Sequence, residues 1–138
     1  MEIEEIGDGD VEPVVALWRL CGLTRPWNDP YADIALARRS PDAVVLIGRA
    51  GGELVATAML GHDGHRGWVY YLAVDPVARR AGYGRQMMQA VEAWLAARGA
   101  PKLQLMVRNS NTEVLAFYAG LGMVDQEVVV LGKWIDGR

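Results

Sequence analysis

Among 138 residues the sequence holds one cysteine, one phenylalanine and two histidines. A lone Cys21 excludes any internal disulfide, and Leu17, Leu20 and Leu23 around it read as the setting of a core thiol. That thiol is expected to lie far from the reactive motifs described below, which leaves it no covalent role. His62 and His65 lack a third ligand of suitable type nearby, so no metal is expected. No apolar run approaches the ~18 residues that a membrane span needs. The acidic opening MEIEEI also lacks the basic stretch and apolar run of a signal peptide. A cytoplasmic protein with no membrane partner is the expectation. An excess of basic charge is missing too: 14 Lys and Arg stand against 17 Asp and Glu, for a net charge of -3. That balance argues against a nucleic-acid partner, while a few local donors suffice for one phosphorylated small molecule.

What is present suits a single domain spanning 1–138, with 51% hydrophobic residues and room for one core. Residues 2–6 alternate Glu and Ile as a short strand. Residues 11–20 have helical spacing, with Asp8 or Asp10 as cap and Pro13 in the first turn. Asp29 followed by Pro30 opens a second helix through about Arg39. Strands follow at 44–47 and 54–60 around the Gly51-Gly52 turn, and another at 68–74. The strongest helix is 82–98, with Met87, Met88, Val91, Trp94 and Leu95 on its apolar face and Gly99 past its end. A strand at 103–107, a helix at 112–121 and one or two strands within 124–134 complete the chain. The order predicts a mixed α/β sheet with helices on both faces.

The turn Arg79-Arg80-Ala81-Gly82-Tyr83-Gly84 joins the strand ending at Val74 to that strongest helix. A helix N-terminus offers unpaired N–H groups and a favourable dipole to a pyrophosphate. Gly82 and Gly84 allow close approach of the backbone, and Arg79 or Arg80 with Arg85 add positive charge. Taken alone, the hexapeptide reads equally as a glycine-rich connector carrying solvated arginines. Neither a Rossmann fingerprint nor a P-loop is present.

With its lead-in Leu72-x-Val74-x-Pro76, the turn resembles the acetyl-CoA signature [RQ]-x-x-G-x-[GA] of the GNAT N-acetyltransferase superfamily, with Arg79, Gly82 and Gly84 in the fixed places. The likeness runs over almost the whole chain and extends to the small bacterial YpeA-type subgroup. It implies a single-domain, mostly antiparallel sheet with a V-shaped splay between two central strands, and acetyl-CoA as co-substrate. It implies that Leu72, Ala73 and Val74 run along the pantetheine, with the Leu72 N–H facing the thioester carbonyl. It implies that Arg79, Arg80, Ala81, Gly82, Tyr83, Gly84 and Arg85 hold the pyrophosphate.

Asn111 and Tyr118, seven residues apart, are similar to a second family element, N-x(6)-Y-x-x-x-G-[FM]. By that likeness Asn111 caps its helix and touches the pantetheine amides, while Tyr118 protonates the departing thiolate. A phenol of pKa ~10 is a workable acid for a thiolate whose conjugate acid lies near ~8.5.

The acceptor is expected to be an unidentified primary amine, attacking directly. Trp27, Asn28 and Asp29, with Tyr70, are candidates to receive it; Asp29 serves equally as a helix cap and Trp27 as a staple of the helix entry. No Asp or Glu occurs in 68–71 or 104–107, which leaves the general base open among water, Tyr70, Tyr71 and a loop residue. A catalytically weak acyl-CoA-binding sensor or partner module is the alternative. A homodimer through the apolar run 128–131 is a further expectation.

Overall fold

The computed structural model describes all 138 residues as two compact units, 1–106 and 107–138, each taken by itself below. The first unit runs β1 (Glu2–Glu5), α1 (Val11–Leu20), α2 (Pro30–Arg39), β2 (Ala43–Ala50), β3 (Glu53–His62), β4 (Gly67–Val74), α3 (Tyr83–Ala97) and β5 (Leu103–Gln104). Its sheet follows chain order, antiparallel from β1 to β4 and parallel between β4 and β5. The mixed α/β, mostly antiparallel architecture expected from the sequence is the one found. No helix is long and apolar enough to cross a membrane.

Alternation along the strands decides what each face holds. Val45 and Ile47 of β2 and Ala73 of β4 turn toward α1 and α2, where Val14, Leu17, Trp18, Ile34 and Ala37 complete one buried cluster. On the opposite face α3 buries Met87, Met88, Val91 and Leu95. Gly67 lets that helix approach, since a Cβ there would lie 2.5 Å from the Leu95 Cδ1. At the Gly51-Gly52 hairpin both residues adopt positive φ, 58° and 82°, as the reversal between β2 and β3 requires.

β4 and β5 part early. Their register is Gly67 with Leu103 and Trp68 with Gln104, after which β4 continues to Val74 without a β5 partner. β4 and β5, the edge strand of this five-stranded sheet, thus splay apart after two residue pairs, and β5 is shorter than the 103–107 expected.

Two local readings are corrected. Asp10 stands at the N-cap position of α1, but its side chain makes no cap hydrogen bond: it accepts the Gly7 N–H at 2.8 Å and pairs with Arg49, while Asp8 pairs with Arg38 at 2.8 Å. A short 3-10 turn at Asp8–Asp10 takes the place of a simple cap. The second unit contains α4 (Thr112–Ala119) but no strand over 124–134. Val128 to Leu131 have β-branched propensity, yet propensity without a hydrogen-bonded neighbour builds no ladder, and all four are exposed.

Candidate active site

The first element of the site is a kink in β4. Opposite β3 the register passes from Ala73–Thr57 to Tyr70–Met59, so β4 carries one residue more than β3 across the same stretch. The excess falls on Tyr71 and Leu72, and Tyr71 adopts φ of 52°, a left-handed conformation unusual for a tyrosine. By this register Tyr70 and Tyr71, neighbours in sequence, both face α1 and α2.

Tertiary contacts hold Tyr71 there. Its ring stacks on Trp18 with centroids 3.7 Å apart and planes 5° from parallel. Its hydroxyl donates to Asp33 Oδ2 at 2.7 Å. Its carbonyl accepts from Thr57 Oγ1 at 3.0 Å, and Thr57 Oγ1 accepts from Trp18 Nε1 at 2.8 Å. Thr57 is the one fully buried polar side chain, at 0% exposure. Burial, then the Asp33 carboxylate, push the Tyr71 phenol well above its ordinary range. That hydroxyl is therefore engaged, and of the two tyrosines Tyr70, 44% exposed, is the one open to solvent. Burial, then Asp63, raise its pKa as well.

Leu72, Ala73 and Val74 lead from the kink toward the expected phosphate turn. Asp75 accepts the Val77 N–H at 3.0 Å to start a short 3-10 turn, which delivers the chain to Arg79. Two left-handed residues follow, Arg80 at φ 71° and Gly82 at φ 82°. Gly82 is the N-cap of α3, with open space where a Cβ would be, so backbone conformation rather than crowding calls for glycine. Helix bonding starts with the Gln86 N–H to the Gly82 carbonyl at 3.0 Å. The N–H groups of Tyr83 and Gly84 precede it and have no intrahelical acceptor. No side chain caps this end and no acidic residue lies in its first turn. By contrast, α2 is capped by Asp29, which accepts from the Tyr31 and Ala32 N–H groups at 2.9 and 3.3 Å. An uncapped first turn flanked by arginines suits an anion.

Cys21 lies closer to this turn than its sequence position suggested. Its thiol donates to the Val74 carbonyl at 3.4 Å and meets the Arg79 guanidinium. Burial nevertheless pushes the thiol pKa up, with Arg79 pulling the other way. Proximity is thus corrected, while the reading as an unreactive thiol gains a cause. An aromatic disulfide reagent is expected to label Cys21 slowly at neutral pH and faster as pH climbs past the ordinary thiol range. A labelling rate already at its plateau at pH 7 would contradict this.

In the second unit Asn111 caps α4, its Oδ1 accepting the Val114 N–H at 3.3 Å. Tyr118 lies in the last turn, edge-on to Phe117 at 5.0 Å between centroids. Burial pushes its hydroxyl up to about 12, so it keeps its proton throughout the neutral range.

Of the acceptor candidates, Asp29 serves as the helix cap and Trp27 and Asn28 are exposed on the α1–α2 connection. Asp29 still reaches Tyr71 electrostatically, which brings the start of α2 near the kink. Sequence reasoning missed Asp33, Thr57 and Trp18. Asp33 comes from α2, whereas the sequence pointed to the splayed strands or a loop for a carboxylate. Thr57 did leave a signal, as the one hydroxyl in the apolar run 54–60.

The family model described as "Acetyltransferase (GNAT) family" matches residues 13–123. "Acetyltransferase YE1169" of Yersinia enterocolitica is 41% identical over 133 residues, covering 96% of this chain and 94% of that protein. Among solved structures, the aminoglycoside N-acetyltransferase AAC(6')-Iy in complex with CoA superposes with a TM-score of 0.82 at 18% identity, over 97% of this chain and 94% of that one. A putative acetyltransferase from Agrobacterium tumefaciens gives 0.81 at 19% identity, over 97% and 100%. At such identities the two structures attest the fold alone.

Proposed function

This chain belongs to the GNAT acetyltransferase family, and we propose that it transfers an acetyl group from acetyl-CoA to a primary amine, on a small molecule or a peptide N-terminus. The observation that carries the reading is the uncapped N-terminus of α3, entered through two left-handed residues and preceded by the kinked, half-unpaired β4. The CoA complex of the structurally similar AAC(6')-Iy supports the choice of donor.

In this reading the main chain from Leu72 to Val74 pairs with the pantetheine arm, and the N–H groups from Gly82 to Arg85 receive the pyrophosphate with Arg79, Arg80 and Arg85 around them. The Leu72 N–H steadies negative charge on the thioester oxygen as the amine attacks, the point at which a preorganised donor is worth most. Tyr118 then protonates the thiolate, and Asn111 orients the pantetheine. Tyr70, with Trp27, Asn28 and Asp29, meets the amine. We take 1–138 as one catalytic domain of the cytoplasm. Pairing of two copies along the exposed run 128–131 belongs to the same reading, and sedimentation equilibrium reports it.

Two measurements test the donor. Acetyl-CoA at a hundredfold excess over its dissociation constant is expected to stabilise the protein by about 2.7 kcal/mol. Gly82→Val puts a β-branched residue where the turn needs a left-handed backbone; a turn driven out of that conformation no longer receives the anion, so at the same ligand concentration most of that stabilisation is expected to vanish. Release of free thiol with one or more amines of a broad panel completes the test. Stabilisation without any thiol release would leave a binding module, and neither effect would remove the donor.

A further inference from the structure

The kink in β4 has a single line of hydrogen bonds behind it, and that line ends on the one backbone group assigned to the thioester. An indole N–H can only donate, so Trp18 Nε1 fixes which way the Thr57 hydroxyl is used. With its oxygen accepting from Trp18, Thr57 spends its single proton on the Tyr71 carbonyl. That carbonyl and the Leu72 N–H belong to the same peptide group, which is planar and trans, so the two point in opposite directions. Thr57 belongs to β3 and the carbonyl reaches its side chain. The Leu72 N–H is thereby turned away from β3, toward the edge of β4 that β5 has left after Trp68.

We infer that Trp18 and Thr57 are positioning residues for the acetyl-transfer reaction, aiming and polarising the Leu72 N–H through the Tyr71 carbonyl; this rests on the proposed donor reading. Two physical effects act together. A positive φ is strained for a tyrosine and persists only where the surroundings over-determine it, as the Trp18 stack, the Asp33 hydrogen bond and the Thr57 hydrogen bond do from three sides. In addition, consecutive hydrogen bonds polarise one another: a carbonyl that accepts from Thr57 makes the N–H of its own peptide a stronger donor. The chain is wholly enclosed at its start, since Trp18 and Thr57 are both fully buried, so water does not compete for either bond.

A vibrational readout reaches this without knowledge of the acceptor. The probe is acetyl-CoA with an isotope-labelled carbonyl, followed by difference infrared spectroscopy on the folded protein. On binding to the wild type, the carbonyl stretch is expected to move to lower frequency. In Thr57→Val most of that movement is expected to be lost, and in Trp18→Phe, which keeps the stack and loses the indole donor, a smaller part. Thr57→Ser, retaining the hydroxyl, is expected to restore the wild-type position. Affinity for free CoA, which has no acetyl carbonyl, is expected to stay the same in all three. Should Thr57→Val fail to fold, Trp18→Phe carries the decision. A full wild-type shift in a folded variant lacking either group would overturn the inference and leave the donor reading standing. Acetyl-CoA that binds with no shift in the wild type overturns the role of Leu72, and acetyl-CoA that does not bind overturns the donor reading itself.

Discussion

Tyr118→Phe is expected to lower turnover by roughly 10²–10⁴-fold while leaving CoA affinity unchanged, the range typical for loss of a general acid. The substitution removes one oxygen from a half-buried position in the last turn of α4 and keeps the ring that meets Phe117. Burial holds the hydroxyl at about 12, so at neutral pH it is fully protonated and ready to donate. The same burial makes it a weaker acid than a free phenol, and a thiolate expelled next to a desolvated group is raised in the same sense. The sign for the pH profile follows. Activity is expected to show no fall from Tyr118 ionisation below about pH 11, and the loss should appear only as pH climbs through 12. Steady-state rates with any amine that supports thiol release decide the matter. A Phe variant within a few-fold of wild type would assign the leaving-group proton to another donor.

Trp18→Ala is expected to destabilise the fold by about 3–5 kcal/mol, a large share of the ~5–15 kcal/mol available to a domain. Trp18 has no exposed surface and lies in the cluster shared by α1, α2 and the sheet. Its loss opens a cavity, removes a stack worth ~0.5–1.5 kcal/mol, and takes the donor from a buried hydroxyl. Trp18→Phe is expected to cost far less, because it fills most of the space and keeps the ring contact. Urea unfolding followed by circular dichroism measures both. An alanine variant losing less than about 1 kcal/mol would mean that Tyr71 is held by other contacts.

The helices were legible because their signals are local. Asp29-Pro30 predicts the start of α2, and the structure shows Asp29 accepting the two N–H groups that a cap should satisfy. Gly99 past α3 has φ of 82°, the conformation that recommends glycine there. The kink at Tyr71 was invisible for the opposite reason. No glycine or asparagine marks it, and what holds it comes from Trp18, Asp33 and Thr57, all remote in sequence. The run 128–131 failed in the reverse direction: its composition favours a strand, but pairing is a property of two segments and composition describes one. Cys21 was misplaced because sequence separation from Val74 says nothing about how α1 crosses β4. Of the candidate site, the glycine turn that starts α3 and the capping Asn111 could be read directly. The groups that aim the backbone of β4 could not.

The early departure of β5 also carries a hazard that has nothing to do with chemistry. From Val69 onward β4 presents one flank with no neighbouring strand, and an open flank of this kind can recruit a strand from another molecule. A flat, regular strand would be a template for open-ended association. The extra residue at Tyr71 and Leu72 breaks that template in its middle, since an incoming strand would have to carry the same irregularity to match it. Substitutions that straighten β4 should therefore do harm twice, costing the protein its solubility as well as the backbone donor proposed for the thioester.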